Sequence, residues 1–151
     1  MRLRVAASAA VFMMVALVSA PWLQSADMDV PHFNAAPPAK GDKLPPILTK
    51  DQLWAHNAQH PYQIHAYELA AKIPKVLYQQ PCYCHCDRSM GHNSLHSCFS
   101  GMHGAECTTC MQELCYTYTM HKKGKTPRQI RAGIIKGEWQ SIDLDKVLSI
   151  N

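Results

Sequence analysis

Residues 104–124 read "GAECTTCMQELCYTYTMHKKG", with glycine only at the two ends and no proline. A run of this length without a breaker predicts a helix from Gly104 to Lys123. Gly124 stands where a C-terminal cap belongs, behind His121, Lys122 and Lys123. On a helix turning about 100° per residue, Cys107, Cys110, Met111, Leu114 and Tyr118 fall on one arc roughly 100° wide, with Cys115 at its edge. Downstream, Thr126-Pro127-Arg128-Gln129 supplies a cap residue, a proline for the first turn and a glutamine three after the cap. The helix it opens has Ile130, Ile134 and Ile135 as its buried stripe, with Trp139 packing nearby. Upstream, Pro61 opens a helix over 61–73 with Ile64, Tyr67 and Ala71 at helical spacing, ended by Pro74. Asp51 to Trp54 reads as a capped helical turn, with Leu53 and Trp54 as anchors. The fold class expected is all-α, a small helical domain over residues 51–151 with an irregular cysteine-rich loop and no internal repeat.

That loop is "PCYCHCDRSMGHNSLHSCFSGMHGAECTTC", residues 81–110, which holds six of the seven cysteines and four of the nine histidines. Cys82, Cys84 and Cys86 alternate with Tyr83 and His85. In an extended segment side chains two apart share a face, so the three sulfurs would converge on one soft cation. Neighbours in that arrangement are poorly placed to form disulfides with each other. Cys107 and Cys110 have the two-residue spacing that chelates a thiophilic ion, and the same spacing at a helix start also makes a redox pair. His92 and His96 are one helical turn apart, and His103 precedes Cys107 by four residues. His85 alternates away from the thiols and His121 sits in a last helical turn, so both are assigned to structure or solvent. Met90, Met102, Met111 and Met120 add soft sulfur, which leans toward copper over zinc. Glu106 and Glu113 are read as solvated helix residues. No Ser/His/Asp arrangement, phosphate loop or carboxylate pair supports a hydrolase or nucleotide function.

The first residues bear on compartment. Met1-Arg2-Leu3-Arg4 is basic and Val5 to Ala20 is uncharged and apolar, the order of a secretory signal. Residues 1–26 are therefore expected to be a signal peptide cut after Ala26 or, if uncut, an anchor over Val5 to Leu23. No cysteine precedes Cys82, so a lipobox is not expected. Without residues 1–26 the formal charge falls from +4 to +2, and the basic residues are scattered, which argues against nucleic acid as a partner. Residues 27–50 hold five of the ten prolines and no helical or strand period, and read as an extended linker. His32, on that linker, is read as a solvated side chain. A domain of this size lies near the limit where a core gains from a staple or a metal.

The 81–110 stretch, together with "GKTPRQIRAGIIKGEW" at 124–139, resembles the bacterial family named for its PCYCGC or CYCXC motif, over roughly residues 64–140. The matching positions are Cys82, Cys84, Cys86, Asp87, His92, Leu95, Cys98, Phe99, His103, Gly104, Cys107 and Cys110. His85 stands where the motif has glycine, and His96 and Cys115 lie outside it. The resemblance implies an exported protein, some of whose relatives look like selenoproteins, and hence redox or soft-metal chemistry.

Taken together, these residues lead to an extracytoplasmic, periplasmic-type metal-binding protein of zinc or copper class. Cys82, Cys84, Cys86, Cys98, Cys107 and Cys110 are the expected ligands, and His92 and His103 are ligands or their supports. The donors exceed what one tetrahedral ion needs, so two ions, a copper(I) cluster or a site shared with disulfides would absorb the excess. The alternatives are a thiol–disulfide oxidoreductase using Cys107 and Cys110, and a disulfide-stapled interaction module. The partner expected is another extracytoplasmic metal or redox protein, with membrane contact only through an uncut N-terminal segment.

Overall fold

Proline and capping side chains set where the helices begin. In the computed structural model, which describes residues 29–56, 58 and 60–151, α1 (Lys50–Ala55) starts on Thr49. The Thr49 hydroxyl accepts the Gln52 N–H while the Gln52 side chain accepts the Thr49 N–H at 2.8 Å, a closed capping box. α2 (Pro61–Lys72) and α3 (Pro74–Leu77) both open with proline. Pro74 thus ends one helix and starts the next, since its missing N–H costs nothing in a first turn. Three short helices follow, α4 (Cys86–Met90), α5 (Leu95–Phe99) and α6 (His103–Glu106). The long α7 (Thr108–Lys122) and α8 (Pro127–Ile135) complete the α-helices, and two 3₁₀ segments, Glu138–Ser141 and Leu144–Ser149, close the chain. The described residues contain no strand, so the fold is all-α with the cysteine-rich stretch lying among helices. The expected signal segment lies outside the described residues. No helix among those described is long and apolar enough to cross a membrane.

α7 is the central element. It packs against α2, α6, α8 and the 3₁₀ segments, and its Leu114 is fully buried with Leu53, Leu69, Leu77, Leu95 and Phe99. A second cluster joins Tyr116 of α7 to Ile130, Ile134 and Trp139. The capping expected at 124–129 is present. Gly124 has φ 77°, its N–H donates to the His121 carbonyl at 2.9 Å, and Thr126 and Gln129 cap α8 reciprocally.

Several sequence expectations change in detail. The helix over 104–123 is broken: Cys107 is extended (φ −123°, ψ 111°) and α7 restarts at Thr108. Packing holds α6 in place, because a Cβ on Gly104 would lie 2.8 Å from the Phe99 ring. Ala71 is exposed, and α2 buries Ala66, Leu69 and Ala70 beside Ile64 and Tyr67. Trp54 is exposed while Leu53 alone anchors α1. On α8, Gly133 is buried between Ile130 and Ile134, and Ile135 is half-buried.

The proline-rich segment is extended, yet it lies against the domain. The Leu48 N–H donates to the Phe99 carbonyl at 3.1 Å, and Pro31 is buried. The Arg131 guanidinium sits 4.4 Å from the Phe33 ring centre. His32 is exposed but bonded: its N–H donates to Asp87 Oδ2 at 3.0 Å, and its ring Nδ1 lies 2.7 Å from the Asn93 carbonyl. Its neighbours therefore fix the strap 29–34 beside the cysteine-rich region.

Candidate metal centre

The stretch from Gln80 to Cys86 is fixed at both ends. Gln80 is fully buried, its side-chain amide donates to the carbonyls of Val76 and Pro127, and its own carbonyl accepts the Leu95 N–H at 2.9 Å. Cys82 to His85 then form a tight turn, with the His85 N–H donating to the Cys82 carbonyl at 3.1 Å. This corrects the expectation of an extended segment. At about 3.3 Å rise per residue, extended side chains two apart would start roughly 6.6 Å from one another. The turn instead brings Cys82 Sγ to 3.3 Å from Cys84 Sγ. The turn is completed by His85 in the left-handed region, φ 56°, a conformation that favours glycine and that histidine adopts at a cost.

Around this turn the other donors converge from the start of α4 (Cys86), the loop before α5 (His92), α5, α6 and the start of α7. Cys110 Sγ lies 3.3 Å from Cys82 Sγ and 3.7 Å from Cys84 Sγ. Cys98 Sγ lies 3.5 Å from Cys86 Sγ and 3.4 Å from His92 Nδ1. His103 Nε2 lies 3.3 Å from Cys84 Sγ, and the His92 and His103 rings meet edge to face at 5.3 Å. Cys84, His103, Cys107 and Cys110 form one group whose donor atoms all lie within 4.8 Å of one another, and Cys86, His92, Cys98 and His103 form a second. Cys82 joins Cys98 and Cys110 in a third group, and Cys84 and Cys86 in a fourth. All eight donors named from the sequence are thus brought together. A tetrahedral ion about 2.3 Å from each sulfur would hold the sulfurs about 3.8 Å apart, so the observed separations are close to the edges of such a polyhedron.

All seven cysteines are free, so the disulfide-stapled reading has no support in the structure. Crowding the thiols together splits their acidities. Cys107, Cys110, Cys82 and Cys86 donate toward Cys84 and pull its pKa well below the ordinary thiol value. Cys110 is driven far upward by Cys107, then by Cys82, Cys84 and Cys86, and by burial. Cys86 is also lowered, to about 2, chiefly by Cys110 and Cys82. Without a cation the cluster therefore carries thiolate at Cys84 and Cys86 and resists it at Cys82, Cys98, Cys107 and Cys110, where burial and the charge already present oppose more. A bound cation removes that resistance and becomes the partner that buried thiolates require.

Glu113 is not the solvated residue its sequence context suggested. It is fully buried, and its Oε1 accepts the N–H of Tyr83, between Cys82 and Cys84, at 2.8 Å. Its Oε2 has no hydrogen-bond partner among the described residues. Burial pushes the carboxyl up to about 8, against the Tyr83 N–H, which favours the charged form. The signal available was angular, since Glu113 lies about 60° from Cys110 around α7, beside the apolar arc. His96 is also buried, and burial lowers its pKa, but it is not among the converging donors. Cys115 is buried outside the donor groups, with its thiol pushed up to about 12 by burial.

The chain belongs to the family described as protein of unknown function with PCYCGC motif, whose sequence profile matches residues 13–140. In this chain the motif's glycine is His85, at the one non-glycine residue with positive φ among those described, which gives a backbone reason for glycine there. No curated protein matches the chain, and no solved structure does.

Proposed function

We propose that this PCYCGC-motif protein is an extracytoplasmic binder of thiophilic metal ions of the zinc or copper class. The observation that carries the reading is the convergence of six free thiols and two imidazoles at donor–donor distances of 3.3–3.7 Å where they touch. Thiolate and imidazole are the donor types that soft and borderline ions select. The basic-then-apolar order of residues 1–20 supports export, and the fitting partner is another exported metal or redox protein.

The redox reading uses Cys107 and Cys110 at the start of α7. An attacking thiol needs a depressed pKa. The Cys110 thiol does lower Cys107, but Cys84 and burial outweigh it and the net displacement is upward. Redox exchange is therefore the second reading.

Metal content and free-thiol count on protein exported by an expression host and purified without oxidant test both. Near-stoichiometric metal with seven reduced cysteines is the expected result. Metal-free protein carrying a Cys107–Cys110 disulfide would overturn it in favour of thiol exchange.

A further inference from the structure

The donors divide unequally between the interior and the rim. Cys82, Cys86 and Cys98 are 2%, 2% and 0% exposed, and each pair of them lies within donor range. His92, half-buried, approaches Cys98 at 3.4 Å. The remaining four are Cys84, His103, Cys107 and Cys110, of which only Cys110 is buried. His103 is within range of both groups and is placed with the outer four by its 3.3 Å approach to Cys84. This division uses every donor once and gives two sets of three cysteines and one histidine, a donor set that suits a tetrahedral ion.

From this division we propose that the cluster holds two ions of unequal lability, an inner one that supports the fold and an outer one that exchanges. The inference rests on the metal-binding reading above. The inner ligands are tied to the core: Cys98 lies on α5 with the fully buried Leu95 and Phe99 on the same short helix. The Cys82–Cys86 turn hangs from the buried Gln80, whose carbonyl holds the Leu95 N–H. Removing the inner ion therefore requires opening part of the core. Three of the outer ligands lie nearer the surface, Cys84 half-buried in the turn it shares with Cys82, His103 at the start of the four-residue α6, and Cys107 in the break between α6 and α7, while the fourth, Cys110, is buried on α7. A small local opening there uncovers the ion, and openings of small segments cost less free energy than openings that involve the core. With neutral imidazole and three thiolates each, a divalent ion leaves one negative charge per centre. The charge of the outer centre lies closer to solvent, since Cys84, His103 and Cys107 are only half-buried.

The test uses the full chain, reduced, loaded with Zn(II) and challenged with an excess of a chelating dye, following zinc release and far-ultraviolet circular dichroism together. Two zinc ions per chain are expected. The first should leave about tenfold or more faster than the second with helicity unchanged, and the second should leave as helicity falls. Cys107→Ser should retain one zinc and native helicity and lack the fast phase, and His103→Ala should behave alike. A maximum of one zinc, release of both ions in a single phase, or Cys107→Ser still carrying two would overturn the division while leaving metal binding intact. Failure of the wild-type chain to bind zinc at all would remove the metal reading itself.

Discussion

At its C-terminal end α7 finishes on Gly124 and passes the chain to α8 through the Thr126–Gln129 capping box. At its N-terminal end it begins on Cys107, whose side chain makes no cap hydrogen bond and belongs to a cluster of six thiols. One end is specified by neighbours within four residues in sequence. The other is specified by donors brought from as far away as Cys82. The first kind of order is local and modest in energy, and the second exists only once the chain has closed around it. Titration, packing and capping each test that contrast, in decreasing order of expected effect.

The largest effect concerns the donor-bearing end. The raised pKa of Glu113, about 8 in the fold, makes the folded state bind a proton that the unfolded chain releases near pH 4.5. A carboxyl shifted in this direction supports the fold below its unfolded pKa, and that support is lost as pH rises through the folded value. Metal-free, reduced protein should therefore lose stability between about pH 4.5 and 8. At about 1.4 kcal/mol per unit of displacement the loss amounts to several kcal/mol. Glu113→Gln keeps an acceptor for the Tyr83 N–H and should flatten this part of the urea-midpoint profile. An equally steep fall in the variant would mean that Glu113 is not the group responsible.

The intermediate effect lies at the locally specified end, where the contrast is incomplete. Gly133 sits inside α8, and helix propensity alone says that alanine there should stabilise by up to about 1 kcal/mol. The structure says the reverse. A Cβ at this position would lie 1.8 Å from the Tyr116 hydroxyl, which itself donates to Glu138 at 2.5 Å. Gly133→Ala should cost about 1–3 kcal/mol in denaturant unfolding, the range of overpacked sites. A gain in stability would show that the α7–α8 contact yields easily.

Gly133 also marks how far the sequence was legible. Gly124, Thr126, Pro61 and Pro74 act through their own backbone and immediate neighbours, so the ends they set could be read directly. The eight donors could be named because cysteine and histidine are dense in residues 81–110. Their arrangement could not be read. The 82–85 turn depends on His85 accepting a left-handed backbone, the break at Cys107 follows the packing of Gly104 on Phe99, and the burial of Glu113 depends on the loop that covers it. Only the last is a contact between segments distant in sequence; the first two are short-range, but they depend on backbone conformation and packing that no helical or strand period records. The strap is a similar case, since prolines announce an extended chain without saying that Phe33 will meet Arg131.

The smallest effect is the most direct probe of whether the two ends of α7 are independent. Thr126→Ala removes the hydroxyl that accepts the Gln129 N–H at 3.3 Å and should cost about 1 kcal/mol. Neither residue is among the converging donors. Sites that share no partners contribute additively to stability, so the cost should be the same in zinc-loaded and metal-free protein, measured by urea unfolding of each. A cost that changes by more than about 0.5 kcal/mol on metal removal would mean that the capped end feels the donor cluster. The path for such coupling is visible in Gln80, whose carbonyl holds the Leu95 N–H while its amide donates to the Pro127 carbonyl at the start of α8. Equal costs would show that this single long contact, at 3.3 Å, transmits little, and that α7 is ordered from its two ends separately.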